Sequence, residues 1–269
     1  MMKRLSIAVG ISLGVIFLQS GCAAAPAVTE AAPTETPPSI DVHFLGHAAF
    51  ILEFDDGLTV LSDYGDASQT GWAVRVFEFG SFRPDIVTYS QTHHRDHFLP
   101  MEFANAKILI GDAELSGEDL AVTPVPTHEL TMDSFDSCGY LFAYKGLKLL
   151  NAGEPLQYIL AADRADVRNE IREKYADAYD LVILPVSGLN ITFPQLESFI
   201  GLLNAKRVLL MHGMSLSTYT GFLAFLADEH PGEYLPVERK GPSYRLEGSA
   251  DESRPAVISL VPAAYEPAP

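Results

Sequence analysis

Short runs of β-branched, leucine and aromatic residues, each closed by Gly, Pro or Asp, recur from residue 40 to residue 211, and this punctuation constrains the fold more than any other feature. Residues 40–54 and 58–62 flank Asp55-Asp56-Gly57, a turn signal, and read as a hairpin. Residues 85–89, 107–110, 120–125, 139–144, 147–150, 181–184 and 207–211 are further strand candidates. Helical spacing occupies 163–175, then 194–203 with Pro194 in its first turn, then 217–228 with an apolar stripe through Phe222, Phe225 and Leu226. Strands come first and helices later. That order favours a layered α/β protein with mixed sheets, and no GxGxxG or Walker loop argues for an all-parallel nucleotide-binding sheet.

With 269 residues, 48% of them apolar and 20% charged, the chain can bury a sizeable core and is neither a disordered tract nor a helical membrane bundle. Acidic residues outnumber basic ones 35 to 18, and the net charge of −17 disfavours nucleic acid and anionic membrane surfaces as partners. The two cysteines, Cys22 and Cys138, provide neither a disulfide framework nor a CxxC zinc site. Any metal must therefore sit on histidines and carboxylates.

Lys3 and Arg4 precede an apolar run over 5–18, too short for a permanent membrane span, so residues 1–21 read as a signal peptide. Its end, Leu18-Gln19-Ser20-Gly21-Cys22, resembles a bacterial lipobox, which implies lipidation at Cys22 and a cell-envelope location facing the periplasm or exterior, with the membrane reached only through the lipid. Residues 22–39 are rich in Ala, Pro, Thr and Glu and read as a flexible tether. The folded unit is expected over 40–248. The segment 249–269 reads as a largely unstructured tail in which only 256–261 could pair as a strand.

Directly after the strand candidate 85–89 comes Ser90-Gln91-Thr92-His93-His94-Arg95-Asp96-His97, three imidazoles and a carboxylate within five residues. A loop leaving a strand end can turn several of these inward together, and neutral imidazole with carboxylate suits zinc, manganese or iron. Three more donors stand where strand candidates end: His128, Glu154 and His212. Strand ends meet at one sheet edge, so donors far apart in sequence can converge there.

This order of residues resembles the metallo-β-lactamase superfamily, whose fold is a four-layer αβ/βα sandwich of two mixed β-sheets. It is similar in particular to the ascorbate-phosphate lactonase-like branch, through Phe44-Leu45-Gly46-His47-Ala48-Ala49-Phe50, the turn Leu61-Ser62-Asp63 and the closing stretches 180–186 and 193–213. The resemblance implies a metal-dependent hydrolase of a small ester, lactone or phosphodiester, with His94 and His128 on one metal and Asp96, His97 and His212 on a second. Asp96 would also orient the attacking water as the catalytic residue. Glu154 falls where the family has a bridging Asp, and Thr92 where it has a His, a slot that His93 could fill if the loop is re-registered. One or two ions, zinc first and manganese or iron as alternatives, are implied as cofactors. The contrasting reading is a catalytically degenerate member acting as a cell-envelope binding or accessory module.

His47 is a candidate substrate contact or a structural strand-edge histidine, and Asp63 a carboxylate behind the ligands or a shaper of its turn. His43 and His230 read as surface or satisfied histidines. Cys138 reads as a small strand-edge residue without the basic neighbour a nucleophile needs. Trp72, Phe77, Phe79 and Phe82 read as core, and Arg95, Lys206 and Arg207 as candidates for positive charge near the metal edge.

Overall fold

The largely buried strands β1 (Ser39–Gly46) and β2 (Ala49–Phe54) lay down the first sheet, as seen in a computed structural model that describes residues 37–64, 79–90, 103–126, 138–153, 173, 177–186, 191–213, 215–248 and 253–263. All of these lie in the unit Pro37–Pro269. The signal segment, Cys22 and the expected helix at 163–175 lie outside the described residues, apart from residue 173. Ile40, Val42, Phe44, Phe50, Leu52 and Phe54 turn one way into the main core, while Leu45, Ala49 and Ile51 turn the other way into a second apolar cluster. Both faces of this sheet are therefore covered.

The run 40–54 does not form one arm of a hairpin, as its composition suggested. It folds back on itself at His47-Ala48, with Gly46 at φ 135° and His47 at φ 54°, so β1 pairs antiparallel with β2, Phe44 opposite Phe50. Positive φ is open to Gly and tolerated by His, which a pattern of apolar residues alone does not reveal. β3 (Thr59–Ser62) pairs antiparallel with β2, and β4 (Ile86–Tyr89) and β5 (Lys107–Ile110) follow in parallel. The sheet order is β15-β1-β2-β3-β4-β5, with β15 being Ser243–Glu247.

The second sheet has eight strands in the order β14-β16-β13-β11-β9-β8-β7-β6. Its antiparallel half comprises β6 (Leu115–Ser116), β7 (Leu120–Pro126), β8 (Cys138–Tyr144) and β9 (Leu147–Asn151). Its parallel half comprises β9, β11 (Leu181–Pro185), β13 (Arg207–Met211), β16 (Ala256–Ser259) and β14 (Leu235–Glu238). A short parallel pair, β10 (Ala178–Tyr179) with β12 (Asn204–Ala205), stands apart. All five residues of β11 and of β13 are buried, as expected of parallel strands covered on both faces. The main core draws on both sheets, Phe44 and Leu52 from the first and Leu149 and Leu209 from the second.

Among the described residues, two longer helices pack into the main core. α1 (Phe193–Ile200) starts with a capping box in which Thr192 and Gln195 satisfy each other's backbone N–H groups, and it ends at Gly201, so it is shorter than the expected 194–203. α2 (Leu216–Glu229) buries Tyr219, Phe222, Leu223 and Leu226. The tail, expected to be largely unstructured apart from a candidate strand at 256–261, supplies β16 within that stretch, inserted between β13 and β14 with all four residues buried. The folded unit thus continues past residue 248, because a slot between two parallel strands rewards four consecutive buried residues even in a polar neighbourhood.

Candidate functional site

Register brings the strand ends to one edge. In the first sheet Ser62 of β3 lies beside Thr88 of β4, so Asp63 and Ser90 leave at the same level. In the second, Pro126 pairs with Cys138, Tyr140 with Asn151, Asn151 with Ile183 and Pro185 with Met211, which places the ends of β7, β9, β11 and β13 together. Ligands of open α/β sheets bind at the carboxyl ends of parallel strands. Here two such edges meet.

Four hydrogen bonds join them. Asn151 Nδ2 donates to Ser62 Oγ at 2.8 Å and to Asp63 Oδ2 at 3.2 Å, Cys138 N donates to Ser90 O at 2.9 Å, and His212 N donates to His47 O at 2.8 Å. Asp63 is the hub. Its Oδ1 accepts from Ser90 N at 2.6 Å, and its own N–H donates to Thr88 O at 2.9 Å. At 1% exposure it fastens the ends of three strands, more than the turn-shaping role its neighbours in sequence suggested. Asn151 Oδ1 in turn accepts from Gly153 N at 3.2 Å, and Gly139 lets the β9 backbone pass so close that a Cβ there would stand 2.7 Å from Asn151 O.

His47 and His212 are each 6% exposed, and their rings face each other at 4.4 Å between centroids, tilted by 55°. His212 follows β13 directly and is held from behind: Gly213 N donates to Tyr219 Oη at 2.8 Å, and a Cβ on Gly213 would lie 2.6 Å from the Tyr219 ring. Burial pushes the Tyr219 hydroxyl well above its ordinary pKa, keeping it neutral. Among the described residues, the non-glycine positions at positive φ are His47, Asp63, Lys145 and His212, and three of the four belong to this edge. Such conformations cost about 1–3 kcal/mol each and persist where the surrounding structure enforces them.

The second cluster flanks this edge with Tyr64, Tyr89 and Phe103, and Phe79 and Phe82 pack against it half-buried rather than within it. Trp72 and Phe77 lie outside the described residues. Burial, then the charge of Asp63, pushes the Tyr89 hydroxyl upward. Cys138 Sγ donates to Gly111 O at 3.1 Å, and burial pushes its thiol up to about 11, which makes it a poor nucleophile. His43 bonds Ser243 Oγ at 2.8 Å on the surface. Arg207 does not supply positive charge to the site. It opens β13, four residues from the Met211 end and roughly 13 Å away at strand rise, and it is buried. Lys206 pairs with Asp180 at 2.7 Å.

Thr92, His93, His94, Arg95, Asp96, His97, His128 and Glu154 lie outside the described residues. Their chain neighbours do not: Ser90, Pro126 and Gly153 are the strand-end residues from which those segments depart, and all stand at the shared edge. The donor chemistry fits a divalent metal. His212 brings a largely buried imidazole to the edge, further imidazoles and carboxylates follow the neighbouring strand ends, and Ser90 Oγ is a buried oxygen with no hydrogen-bond partner among the described residues. Asn151, Tyr219 and Gly213 were not singled out by sequence. Only the buried amide closing the apolar run 147–150 could have flagged Asn151.

A family model described as a beta-lactamase superfamily domain matches residues 41–212. No curated protein sequence matches. Among solved structures, a protein described as a candidate Zn-dependent hydrolase of the metallo-β-lactamase superfamily from Thermotoga maritima superposes with a TM-score of 0.55 at 19% identity, over 82% of this chain and 100% of that one. Igni18, described as a metallo hydrolase from Ignicoccus hospitalis, gives 0.55 at 18% identity, over 78% and 100%. CmlA, a diiron β-hydroxylase from Streptomyces venezuelae, gives 0.52 at 12% identity, over 80% and 55%. At such identities these likenesses establish the fold, a metallo-β-lactamase αβ/βα sandwich, and the presence of a hydroxylase among them shows that the fold does not by itself fix the reaction.

Proposed function

Because the chain belongs to the beta-lactamase superfamily domain family, we propose that it is a metal-dependent hydrolase whose site lies where the two sheet edges meet around His212. The observation that carries this reading is the convergence of four strand ends on a buried, backbone-strained His47–His212 pair, braced by the Asp63–Asn151–Ser90 network. A preorganised edge of this kind is what a metal site on this fold requires.

In this reading His94 and His128 would hold one ion and Asp96, His97 and His212 a second, with Glu154 as a further carboxylate donor. The chemistry such ions supply is Lewis acidity and a water that ionises near pH 7. Asp96 would be the carboxylate that orients the attacking water. His47, in the β1–β2 turn with its ring tilted against that of His212, would contact the substrate and limit how the His212 ring can turn. The substrate class is a small ester, lactone or phosphodiester, in keeping with the lactonase-like opening motif. Zinc is the first choice of metal, and Cys22 carries a lipid that anchors the protein in the cell envelope.

Thr92 and Glu154, standing where the family has His and Asp, favour a second reading in which the fold is kept as a binding module without turnover. Metal analysis of the purified protein, paired with turnover of a model phosphodiester and a model lactone, separates the two. The hydrolase reading expects one or two equivalents of zinc, manganese or iron at this site, loss of turnover in Asp96→Ala and His212→Ala, and a gain in metal content and rate in Thr92→His. Absence of both metal at the site and turnover in every variant overturns it and leaves the binding module.

A further inference from the structure

The geometry points to a second divalent-metal site, formed by Glu197, His230 and Glu233 at the far end of α2 from His212. One donor atom from each of the three residues lies within 4.8 Å of the other two. His212 and Gly213 precede the N-terminus of α2, whereas His230 is its C-cap, and the 14 residues between span about 21 Å at helical rise. The two sites are therefore separate.

The separations between the ring and its two carboxylates are longer than hydrogen bonds. His230 Nε2 stands 3.8 Å from Glu197 Oε2, and His230 Nδ1 stands 3.7 Å from Glu233 Oε1. Hydrogen bonds between such atoms run about 2.7–3.2 Å. Donors on a tetrahedral zinc with bonds of about 2.0–2.2 Å stand roughly 3.4 Å apart, and because an imidazole offers an ion one nitrogen, one carboxylate, the exposed Glu233 most readily, must turn toward the nitrogen that faces the other to close the set. The set is not a plain acidic patch, because its central member is an imidazole walled by Phe225 at 5.6 Å and Tyr234 at 6.1 Å between ring centroids. Neither of its nitrogens has a hydrogen-bond partner among the described residues.

Orientation is built in from three directions. Glu197 projects from α1, and its other oxygen, Oε1, accepts from the Tyr234 hydroxyl at 2.7 Å, which leaves Oε2 aimed at His230. A ligating carboxylate held by such an outer hydrogen bond is the usual arrangement around metals. Glu233 N donates to His230 O at 3.2 Å through a turn that Gly232 makes at φ 87°, which fixes the spacing of the last two donors. The C-terminus of α2 adds the negative end of a helix dipole, and the chain's net charge of −17 adds a favourable field for cations. One imidazole and two carboxylates suit zinc or another borderline divalent ion. Bound there, it would cross-link α1 to the turn that leads into β14.

The test uses the full chain, stripped with a chelator and dialysed to equilibrium against micromolar zinc. The wild type should take up one more equivalent than Glu233→Gln, His230→Asn or Glu197→Gln, each of which should weaken that equivalent at least ten-fold. Glu233 is 66% exposed, so its variant keeps the fold and provides the safest comparison. In a His212→Ala background the same one-equivalent difference should persist, which separates this site from the one at the sheet edge. Zinc should raise the melting temperature of the wild type by more than that of His230→Asn, and in a His212→Ala background that difference should persist. Equal zinc uptake by wild type and Glu233→Gln overturns the proposal, as does a loss of stability in the variants that is the same with and without zinc, the behaviour of an ion pair alone.

Discussion

Asn151→Asp replaces a buried amide by a carboxylate of the same shape at the point where the two sheets are pinned. Asn151 is 2% exposed, and its Nδ2 lies 3.2 Å from Asp63 Oδ2, itself 1% exposed. Gly153 N can still donate to the new side chain, and the Ser62 hydroxyl can rotate to do so, so the cost is concentrated in one carboxylate facing another. At an effective dielectric constant of 20, two unit charges at that distance repel by about 5 kcal/mol. Taking up one proton avoids the repulsion, and at pH 7 that costs about 4 kcal/mol relative to an ordinary aspartate. The variant should therefore lose about 4 kcal/mol at pH 7, equivalent to roughly 8–16 °C in melting temperature for a unit of this size.

The sign of the pH dependence follows. Between the unfolded pKa near 4 and the raised pKa of the folded pair, the folded variant holds one more proton than the unfolded chain, so its stability falls by about 1.4 kcal/mol per unit as pH rises. The deficit against wild type should shrink to about 1.5 kcal/mol at pH 5 and level off near 5 kcal/mol above neutrality. Asn151→Ala, which removes hydrogen bonds without adding charge, should lose about 1–3 kcal/mol at either pH. Urea unfolding of the three proteins at pH 5 and pH 7 decides the matter. A deficit in Asn151→Asp that does not change with pH, or that matches Asn151→Ala at both, refutes the Asp63–Asn151 contact as the pin.

Tyr219→Phe leaves the buried Gly213 N–H without its acceptor and should destabilise by about 1–3 kcal/mol, with weaker retention of metal at His212; unchanged unfolding midpoints and metal content would count against Tyr219 as the support of that loop. The carboxyl of Asp55 is held below the ordinary aspartate range, first by the Tyr144 hydroxyl and then by Lys145 and the Ser39 N–H. Its stabilisation is present above the unfolded pKa and is lost as pH falls through the lower folded value, so Tyr144→Phe should move the Asp55 titration seen by NMR upward and narrow the acid-side loss of stability. An Asp55 titration that stays in place in the variant would exclude Tyr144 as the main cause.

Why some of this was legible and some not has a physical basis. β13 keeps the bounds of its run, since a strand buried on both faces must be largely apolar and must stop at the first breaker, whereas β5, at the edge of its sheet with Ile108 and Ile110 exposed, keeps its bounds because Gly111 ends it. β14 and β15 escape the same reading. They stand at sheet edges, and Leu235-Pro236-Val237-Glu238 and Ser243-Tyr244-Arg245-Leu246-Glu247 carry only the polar or half-apolar pattern that an edge needs. His47, Asp63 and His212 could be nominated because their residue types act at sites and because each ends a run. Arg207 was nominated on the same footing and stands at the wrong end of its strand, because proximity in sequence to His212 carries no information about strand direction. Asn151 shows the complementary limit: its amide matters through the register that sets it opposite Tyr140 and through the approach of β3 from the other sheet, and neither is encoded locally. Periodicity thus reports which residues are buried, whereas register decides which strand ends coincide. The three strained residues at the shared edge are held by the second of these, so the site depends on long-range pairing that no single segment specifies.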